Sequence, residues 1–161
     1  MSQFNGGDMI VGLTNLPEYP IMNKNIRIKR AFPGDKEEIL KFVRENFQTS
    51  WVYEVEQTIM QSPSKCFVAT EEGKLIGFAC YDASAKGFFG PIGVLSTTRK
   101  KNVGASLVIR TLEAMREYGY GYAIIGWVSD AEQFYRKTVK AEYIKGGEPE
   151  NSIYSNMISM K

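Results

Sequence analysis

A helix-like segment between two apolar, strand-like runs constrains the fold of this chain more than any other feature. Apolar residues recur at helical spacing over Val103–Tyr118, and Gly119 is a typical residue for ending a helix. The flanking runs Gly87–Ser96 and Tyr122–Val128 are short and apolar, and the second is nearly continuous, as in a strand covered on both faces. With the other predicted elements, this order indicates a mixed sheet with helices on both faces.

The other periodic segments complete the predicted order. Further strands are expected at Ile26–Ala31, in a Cys66–Ala83 hairpin around Glu72 and Gly73, in "AEYIK", and in the C-terminal "SIYSNMISM". Further helices are expected from a capping-box-like start at Asp35 and Glu38 to about Gln48, over Trp51–Met60, and over Ala131–Val139.

The chain has 161 residues, enough for a sizeable core, and no interior linker or repeat divides it. Residues 1–25 are rich in Gly, Asn and Pro and are expected to form an arm with one candidate edge strand, "MIVGL". Residues 26–161 are expected to form a single domain.

Charge and hydropathy give no indication of a nucleic-acid or membrane partner. The net charge of +2 does not by itself indicate a nucleic-acid or membrane partner. The N-terminus has no signal-peptide pattern, and no run of about 18 apolar residues occurs. Cys66 and Cys80 lie in apolar, strand-like stretches and are expected to be buried free thiols. We therefore expect a cytoplasmic protein with no membrane or nucleic-acid partner.

The chain contains no histidine, which narrows the chemistry further. A Ser-His-Asp triad, a Cys-His pair and a histidine-based zinc site are excluded, and two cysteines alone cannot build a structural zinc site. We expect no metal site. Acid–base chemistry must therefore use Tyr, Asp, Glu, Lys, Cys or water.

Three consecutive cations, Arg99, Lys100 and Lys101, stand just before the long predicted helix. A helix N-terminus carries unpaired N–H groups and partial positive charge, so added cations favour an anion there. Asn102 tolerates left-handed backbone angles, and Gly104 has no side chain to block a ligand. The backbone amides over 102–105 could therefore hold a phosphate. The simpler interpretation is a solvated basic turn before an ordinary helix.

This segment and its surroundings resemble the GCN5-related N-acetyltransferase (GNAT) family. Arg99, Asn102 and Gly104 occupy the three defining positions of that family's acyl-CoA motif, Arg/Gln-x-x-Gly-x-Gly/Ala. Downstream, "AEQFYRKTVKA" resembles the family's Ala-x-x-Phe/Leu-Tyr element, with Ala131 and Tyr135 at its ends. The resemblance covers about residues 26–144, and "FFGPIGV" and "GYGYAIIGWV" look like a bacterial subgroup. Two positions depart from it: Asn102 replaces a glycine, and Val128 stands where many members have Asn.

The resemblance implies an α/β (α+β) GNAT fold, with a mixed, mostly antiparallel central sheet of six to seven strands and about four flanking helices. It also implies acetyl-CoA as co-substrate, with the pantetheine arm in a gap where the strand before the motif splays from the next strand. The candidate cofactor-binding residues are Val94, Leu95, Ser96, Arg99, Lys100, Lys101, Asn102, Val103, Gly104, Ala105 and Ser106.

The implied activity is N-acetyl transfer, by direct attack of a primary amine on the thioester in a ternary complex. Tyr135 is the candidate catalytic residue, as hydrogen-bond donor to the leaving thiolate; without the resemblance it would be an ordinary core aromatic. A backbone N–H near Val94 or Leu95 would meet the oxyanion. The base is unassigned: a water relay is preferred over the acidic residues nearest in sequence, which are Glu71, Glu72 and Asp82.

The acceptor is only weakly indicated. An aromatic and acidic surface for a cationic amine is one interpretation of Phe47, Trp51, Tyr53, Glu54 and Glu56, with Trp51 and Tyr53 as candidate contacts. The alternative is that Phe47 and Trp51 pack in the core and the glutamates are solvated. A small-molecule amine and a protein amine both remain open, and a homodimer is common in the family.

Two other functions compete with this interpretation. The first is a catalytically idle relative that binds acyl-CoA as a sensor. The second is a nucleic-acid binder that uses Arg99–Lys101, although no stacking-aromatic motif accompanies that basic run.

Overall fold

The computed structural model describes residues 6–158, apart from the side chains of residues 99 and 100. Within these residues the strands are β1 Gly7–Gly12, β2 Ile26–Arg30, β3 Cys66–Glu71, β4 Lys74–Tyr81, β5 Phe88–Val94, β6 Tyr122–Val128 and β7 Glu142–Tyr143. The α-helices are α1 Lys36–Asn46, α2 Thr49–Ile59, α3 Val103–Tyr118 and α4 Glu132–Val139. No helix among the described residues is both long and apolar enough to cross a bilayer.

The described strands form one seven-stranded sheet in the order β2-β3-β4-β5-β6-β1-β7. Every neighbouring pair in it is antiparallel except β5 and β6, which are parallel. That parallel pair arises because α3 connects β5 to β6 as a crossover. The expected mixed, mostly antiparallel sheet is confirmed.

Helices cover both faces of the sheet, as expected. On one face, α3 buries the apolar stripe that includes Val103, Leu107, Leu112 and Met115, and α4 adds Tyr135 to the same core cluster. On the other face, α1 and α2 pack into a second cluster that contains both buried cysteines. Their thiols are free, as the sequence predicted.

Two predicted turns have the backbone that their residues favour. Glu72 and Gly73 both have positive φ, 51° and 81°, which suits a tight two-residue hairpin between β3 and β4. Gly119 ends α3 in the left-handed region, with φ 120°.

The two terminal strands and the α1 cap differ from the sequence predictions. The strand β1 is not at the edge of the sheet, because it pairs with β6 on one side and with β7 on the other. The C-terminal segment is not a strand: it forms 3-10 turns at Pro149–Asn151 and Ile153–Asn156, where the Ser155 hydroxyl bonds to its own local backbone. Asp35 does not cap α1; its carboxylate accepts the Phe32 N–H instead.

Asp82, just after β4, ties three segments together. Its carboxylate accepts hydrogen bonds from Lys65 Nζ at 2.9 Å, from the Gly87 N–H at 2.8 Å and from the Tyr120 hydroxyl at 3.0 Å. Burial is the largest influence on the pKa of Lys65 and lowers it, but the hydrogen bond and charge of Asp82, together with Tyr118, outweigh burial and raise the pKa, so the lysine stays charged. Because Gly87 O also accepts the Ile124 N–H at 2.9 Å, this network holds β5 against β6 where their pairing begins.

Candidate active site

The parallel strands β5 and β6 pair only at their first residues. Phe88 lies opposite Ile124 and Phe89 opposite Ile125, and no further pair is recorded between these two described strands. Gly90 follows with φ 113°, a backbone conformation that residues with a side chain rarely adopt. Glycine and proline inside a strand are typical of an edge, a bulge or the close approach of another backbone. Here they mark the point where the strands separate.

A cavity of about 610 Å³ opens beyond this point. Its walls are β5, β6, the first turns of α2, the start of α4 and the C-terminal 3-10 turn. Asp130 and Glu54 are the charged residues among the described residues that line it; neither lysine nor arginine is among them. The cavity is therefore acidic in a chain whose net charge is +2.

Successive backbone groups at the end of β5 point in opposite directions, some toward β4 and some toward the gap. The Leu95 N–H donates to Ile76 O at 2.9 Å, and Leu95 O accepts from the Thr98 N–H and hydroxyl. Because hydrogen-bonding direction alternates along an antiparallel pair, the Val94 N–H and C=O face away from β4, toward the gap. This geometry supports Val94 as the candidate oxyanion donor, whereas both backbone groups of Leu95 are already used.

Asn102 precedes α3 in the left-handed region, with φ 61° and ψ 18°. Its side-chain amide donates to Ile21 O at 2.9 Å, so the arm before β2 holds the residue in place. The first helical hydrogen bond runs from Ser106 N to Asn102 O. The N–H groups of residues 103–105 therefore precede the helical ladder and are oriented outward from the helix start.

The start of α3 lies against both β5 and α4. A Cβ placed on Gly104 would be 3.4 Å from the Phe134 ring and 3.8 Å from Val94. Phe134 in turn lies 5.2 Å from Tyr135 between ring centroids. The backbone of the acyl-CoA-like motif, the gap-facing end of β5 and the candidate catalytic tyrosine are thus brought together.

The other candidate cofactor residues are less favourably placed or are not described. Lys101 Nζ is 2.9 Å from a Glu71 carboxylate oxygen, so its charge is already paired. The side chains of Arg99 and Lys100 lie outside what the structure describes. Ser96 is exposed in the preceding 3-10 turn. Ser106 is fully buried, and its hydroxyl has no partner among the described residues, so its side chain does not face a ligand at the helix start.

Tyr135 lines the cavity with only 6% of its surface exposed. Its ring packs edge-on against Phe89, with centroids 6.2 Å apart. Burial raises the pKa of Tyr135 well above its ordinary value, and no described residue hydrogen-bonds to its hydroxyl. The result is a neutral, unpartnered O–H donor at the gap.

Only one of the two candidate acceptor contacts on α2 lines the cavity. Trp51 lines the cavity and also stacks on Phe47, with centroids 5.9 Å apart, so it is both a wall residue and a packing residue. Tyr53 is 72% exposed and does not line the cavity. Phe47 packs edge-on against Phe78 in the core, and Glu56 is exposed.

The C-terminal turn supplies a wall residue that the sequence prediction missed. Tyr154 lines the cavity, and its ring lies so close to Gly126 that a Cβ at that position would overlap it. It also contacts the Trp127 ring, with centroids 5.7 Å apart. A glycine inside an apolar strand signals such a close approach, but the sequence does not say what approaches.

None of the three acidic residues near the motif in sequence lines the cavity. Glu71 pairs with Lys101, Glu72 lies in the β3–β4 turn, and Asp82 belongs to the network with Lys65. A covalent route through cysteine is also disfavoured. A hydrogen bond with Cys80 and burial raise the pKa of the Cys66 thiol, which makes it a poor nucleophile at neutral pH.

Comparisons with known proteins agree with this geometry. The model of the acetyltransferase (GNAT) family matches residues 31–139. No curated protein sequence matches the chain. A GCN5-related N-acetyltransferase from Sphaerobacter thermophilus superposes with a TM-score of 0.69 at 19% identity, over 84% of this chain and 47% of that one. The chain thus spans about half the length of that structure.

Two further solved structures share the fold. An aminoglycoside acetyltransferase from an uncultured soil metagenomic sample gives a TM-score of 0.57 at 18% identity, over 76% of this chain and 93% of that one. A GNAT family acetyltransferase from Brucella melitensis, solved in complex with acetyl-CoA, gives 0.51 at 19% identity, over 70% and 82% of the two chains.

Proposed function

The chain belongs to the acetyltransferase (GNAT) family, and we propose that it transfers the acetyl group of acetyl-CoA to a primary amine. The observation that carries this proposal is the buried Tyr135 side chain, which lines the cavity between β5 and β6 and whose hydroxyl has no partner among the described residues. The start of α3 lies beside the same gap, through Gly104 and Val94. A structural neighbour from Brucella melitensis was solved with acetyl-CoA, which is consistent with this co-substrate.

The residues present fit the parts of acetyl-CoA. The outward N–H groups of residues 103–105, with the partial positive charge of the helix start, would hold the pyrophosphate. The missing side chain of Gly104 lets the helix start lie close to the Phe134 ring and Val94. The gap-facing N–H and C=O of Val94 would pair with the pantetheine amides or the thioester oxygen.

In the proposed reaction, the neutral amine nitrogen attacks the thioester carbonyl carbon. The N–C bond forms, and the Val94 N–H would donate to the developing oxyanion. The C–S bond then breaks, water accepts the proton lost by the amine, and Tyr135 would donate a hydrogen bond to the departing thiolate.

The pKa values decide how far the tyrosine proton moves. An unperturbed tyrosine has a pKa of about 10 and a thiol about 8.5, so full transfer would cost about 2 kcal/mol. Burial raises the pKa of Tyr135 further, which makes transfer still less favourable. We therefore assign Tyr135 as a hydrogen-bond donor that stabilises negative charge on sulfur.

Thermal unfolding with acetyl-CoA tests the co-substrate site. At about 100 times its dissociation constant, a ligand adds about 2.7 kcal/mol of stability, which raises the midpoint by roughly 5–10 °C in a domain of this size. We expect this shift for the wild-type chain with both acetyl-CoA and CoA. In Gly104→Val the new side chain would collide with the Phe134 ring and Val94 and displace the helix start from the end of β5, so the shift should largely disappear.

Gly121→Val is the matched control, because a Cβ at Gly121 meets nothing within 4 Å. This variant should keep the full ligand-induced shift. Absence of a shift in the wild-type chain at millimolar ligand, or an unchanged shift in Gly104→Val, would contradict the assignment.

A further inference from the structure

The α2 wall of the cavity holds an oriented carboxylate. Glu54, on α2, accepts a hydrogen bond from the Ser84 hydroxyl at 2.7 Å through its Oε1 atom. Ser84 Oγ in turn accepts from the Tyr154 hydroxyl at 3.0 Å. Three segments, α2, the β4–β5 connection and the C-terminal turn, therefore combine to position one carboxylate at the cavity.

The second oxygen of this carboxylate is not used by the protein. Among the described residues, Glu54 Oε2 has no hydrogen bond and no ion pair. The described lining includes one more acid, Asp130, and no basic side chain that could neutralise either carboxylate. An oriented, uncompensated carboxylate of this kind favours a bound cation.

Aromatic rings surround the same space. Trp51, Trp127 and Tyr154 all line the cavity, and the indole N–H of Trp127 is held by Pro149 O at 3.1 Å. Aromatic faces attract ammonium groups, and more strongly where water is partly excluded. The wall is therefore suited to a cation with an apolar spacer.

Tyr135 independently points to a ligand in this cavity. It is more than nine-tenths buried, lines the same space, and its hydroxyl has no partner among the described residues. The cavity thus contains an uncompensated carboxylate and an unused buried donor. In the proposed reaction the Tyr135 donor serves the thioester sulfur, which leaves the Glu54 carboxylate for the acceptor.

A single amino group cannot attack the thioester and also pair as an ammonium with Glu54. The attacking nitrogen must be neutral, because an ammonium has no lone pair, and a neutral amine cannot form an ion pair with a carboxylate. We propose that the acceptor is a small molecule with at least two amino groups: one nitrogen attacks the thioester, and a second, as an ammonium, binds Glu54 Oε2. This inference rests on the proposed acetyltransferase function and specifies its acceptor class.

The test compares matched acceptors, cadaverine and pentylamine, which have the same carbon chain and differ by one amino group. For the wild-type chain we expect kcat/KM to be about 10- to 100-fold higher with cadaverine, the value of a hydrogen bond to a charged group. Glu54→Gln keeps the acceptor for Ser84 but removes the charge. It should reduce this preference by most of that factor, chiefly through KM.

Glu56→Gln is the matched control, since Glu56 lies on the same helix, is exposed and does not line the cavity. It should leave the preference unchanged. Spermidine and kanamycin as further acceptors separate a linear polyamine from an amino sugar, and preference for either over pentylamine supports the proposal.

The outcomes separate this inference from the proposed function. Equal kcat/KM for cadaverine and pentylamine, or an unchanged preference in Glu54→Gln, would overturn the diamine assignment and leave the transferase assignment intact. If no amine is acetylated, the proposed function fails. Calorimetric titration with spermidine then tests separately whether the cavity binds a cation at Glu54. Spermidine binding to the wild-type chain that is lost in Glu54→Gln supports the cation site. Absence of spermidine binding to the wild-type chain overturns the cation site.

Discussion

Replacement of Tyr135 by phenylalanine is expected to lower kcat for amine acetylation by about 10²- to 10³-fold, the usual cost of removing one hydrogen-bond donor to charge that develops in the transition state. The substitution removes one hydroxyl, which has no partner among the described residues, and keeps the ring that packs on Phe89. Folding stability and acetyl-CoA binding should therefore change little. Steady-state kinetics, together with ligand-induced thermal shifts, measure both effects.

Tyr122→Phe is the matched control, because Tyr122 is 66% exposed and does not line the cavity. It should retain full activity. Because burial raises the pKa of Tyr135, the donor should stay protonated, and no alkaline loss of kcat should arise from it below about pH 10. Tyr135→Phe with wild-type kcat would remove the catalytic role. A wild-type chain that binds acetyl-CoA but acetylates no amine would instead be an acyl-CoA sensor.

Asp82→Asn is expected to lower the free energy of unfolding by about 3–5 kcal/mol, the range for removing one partner of a buried ion pair. The Asp82 side chain is 6% exposed and the Lys65 side chain 15%, so the substitution leaves a lysine charge that water cannot fully solvate. The same change weakens the junction where β5 meets β6. Urea unfolding of the wild-type and variant chains measures the loss.

Asp35→Asn is the control for the loss of an ion pair near the surface. Asp35 pairs with Lys29 at 2.7 Å, but its side chain is 34% exposed and that of Lys29 44%. Such exposed pairs contribute at most about 1 kcal/mol. A loss for Asp82→Asn no larger than that for Asp35→Asn would show that the network does not hold the sheet together.

Local residue chemistry accounts for the parts of the fold that the sequence predicted well. The helix α3 has the predicted bounds, because the apolar periodicity and the terminating Gly119 that define it are both local features of the sequence. Glu72 and Gly73 form the predicted hairpin turn for the same reason. The family match over residues 31–139 confirms the resemblance that the motif around Asn102 and Gly104 indicated.

Long-range contacts account for the features that the sequence predicted wrongly or could not distinguish. The C-terminal segment alternates like a strand, but Tyr154 packs on Gly126 and reaches Ser84, far away in the sequence. The strand β1 is internal because β7 adds to its outer side, which no local pattern records. Leu95 and Val94 are neighbours in sequence, and only the pairing with Ile76 distinguishes their roles.

The acceptor site shows the same limit. Trp51 and Glu54 belonged to a plausible aromatic and acidic group, but the sequence could not separate them from Tyr53 and Glu56 on the same helix. The packing of α2 makes that separation, since it places Trp51 and Glu54 on the cavity and leaves the other two outside it. Helical periodicity alone cannot say which face meets a gap formed by two distant strands.

The most direct test of the central claim is product analysis with the wild-type chain, acetyl-CoA and cadaverine. Mass spectrometry of the amine and a thiol assay for CoA are made on the same reaction. We expect N-acetylcadaverine and free CoA in equal amounts, formed at a rate far above that without protein. No acetylated amine from cadaverine, spermidine, kanamycin or pentylamine, in the presence of a chain that acetyl-CoA stabilises, would contradict it.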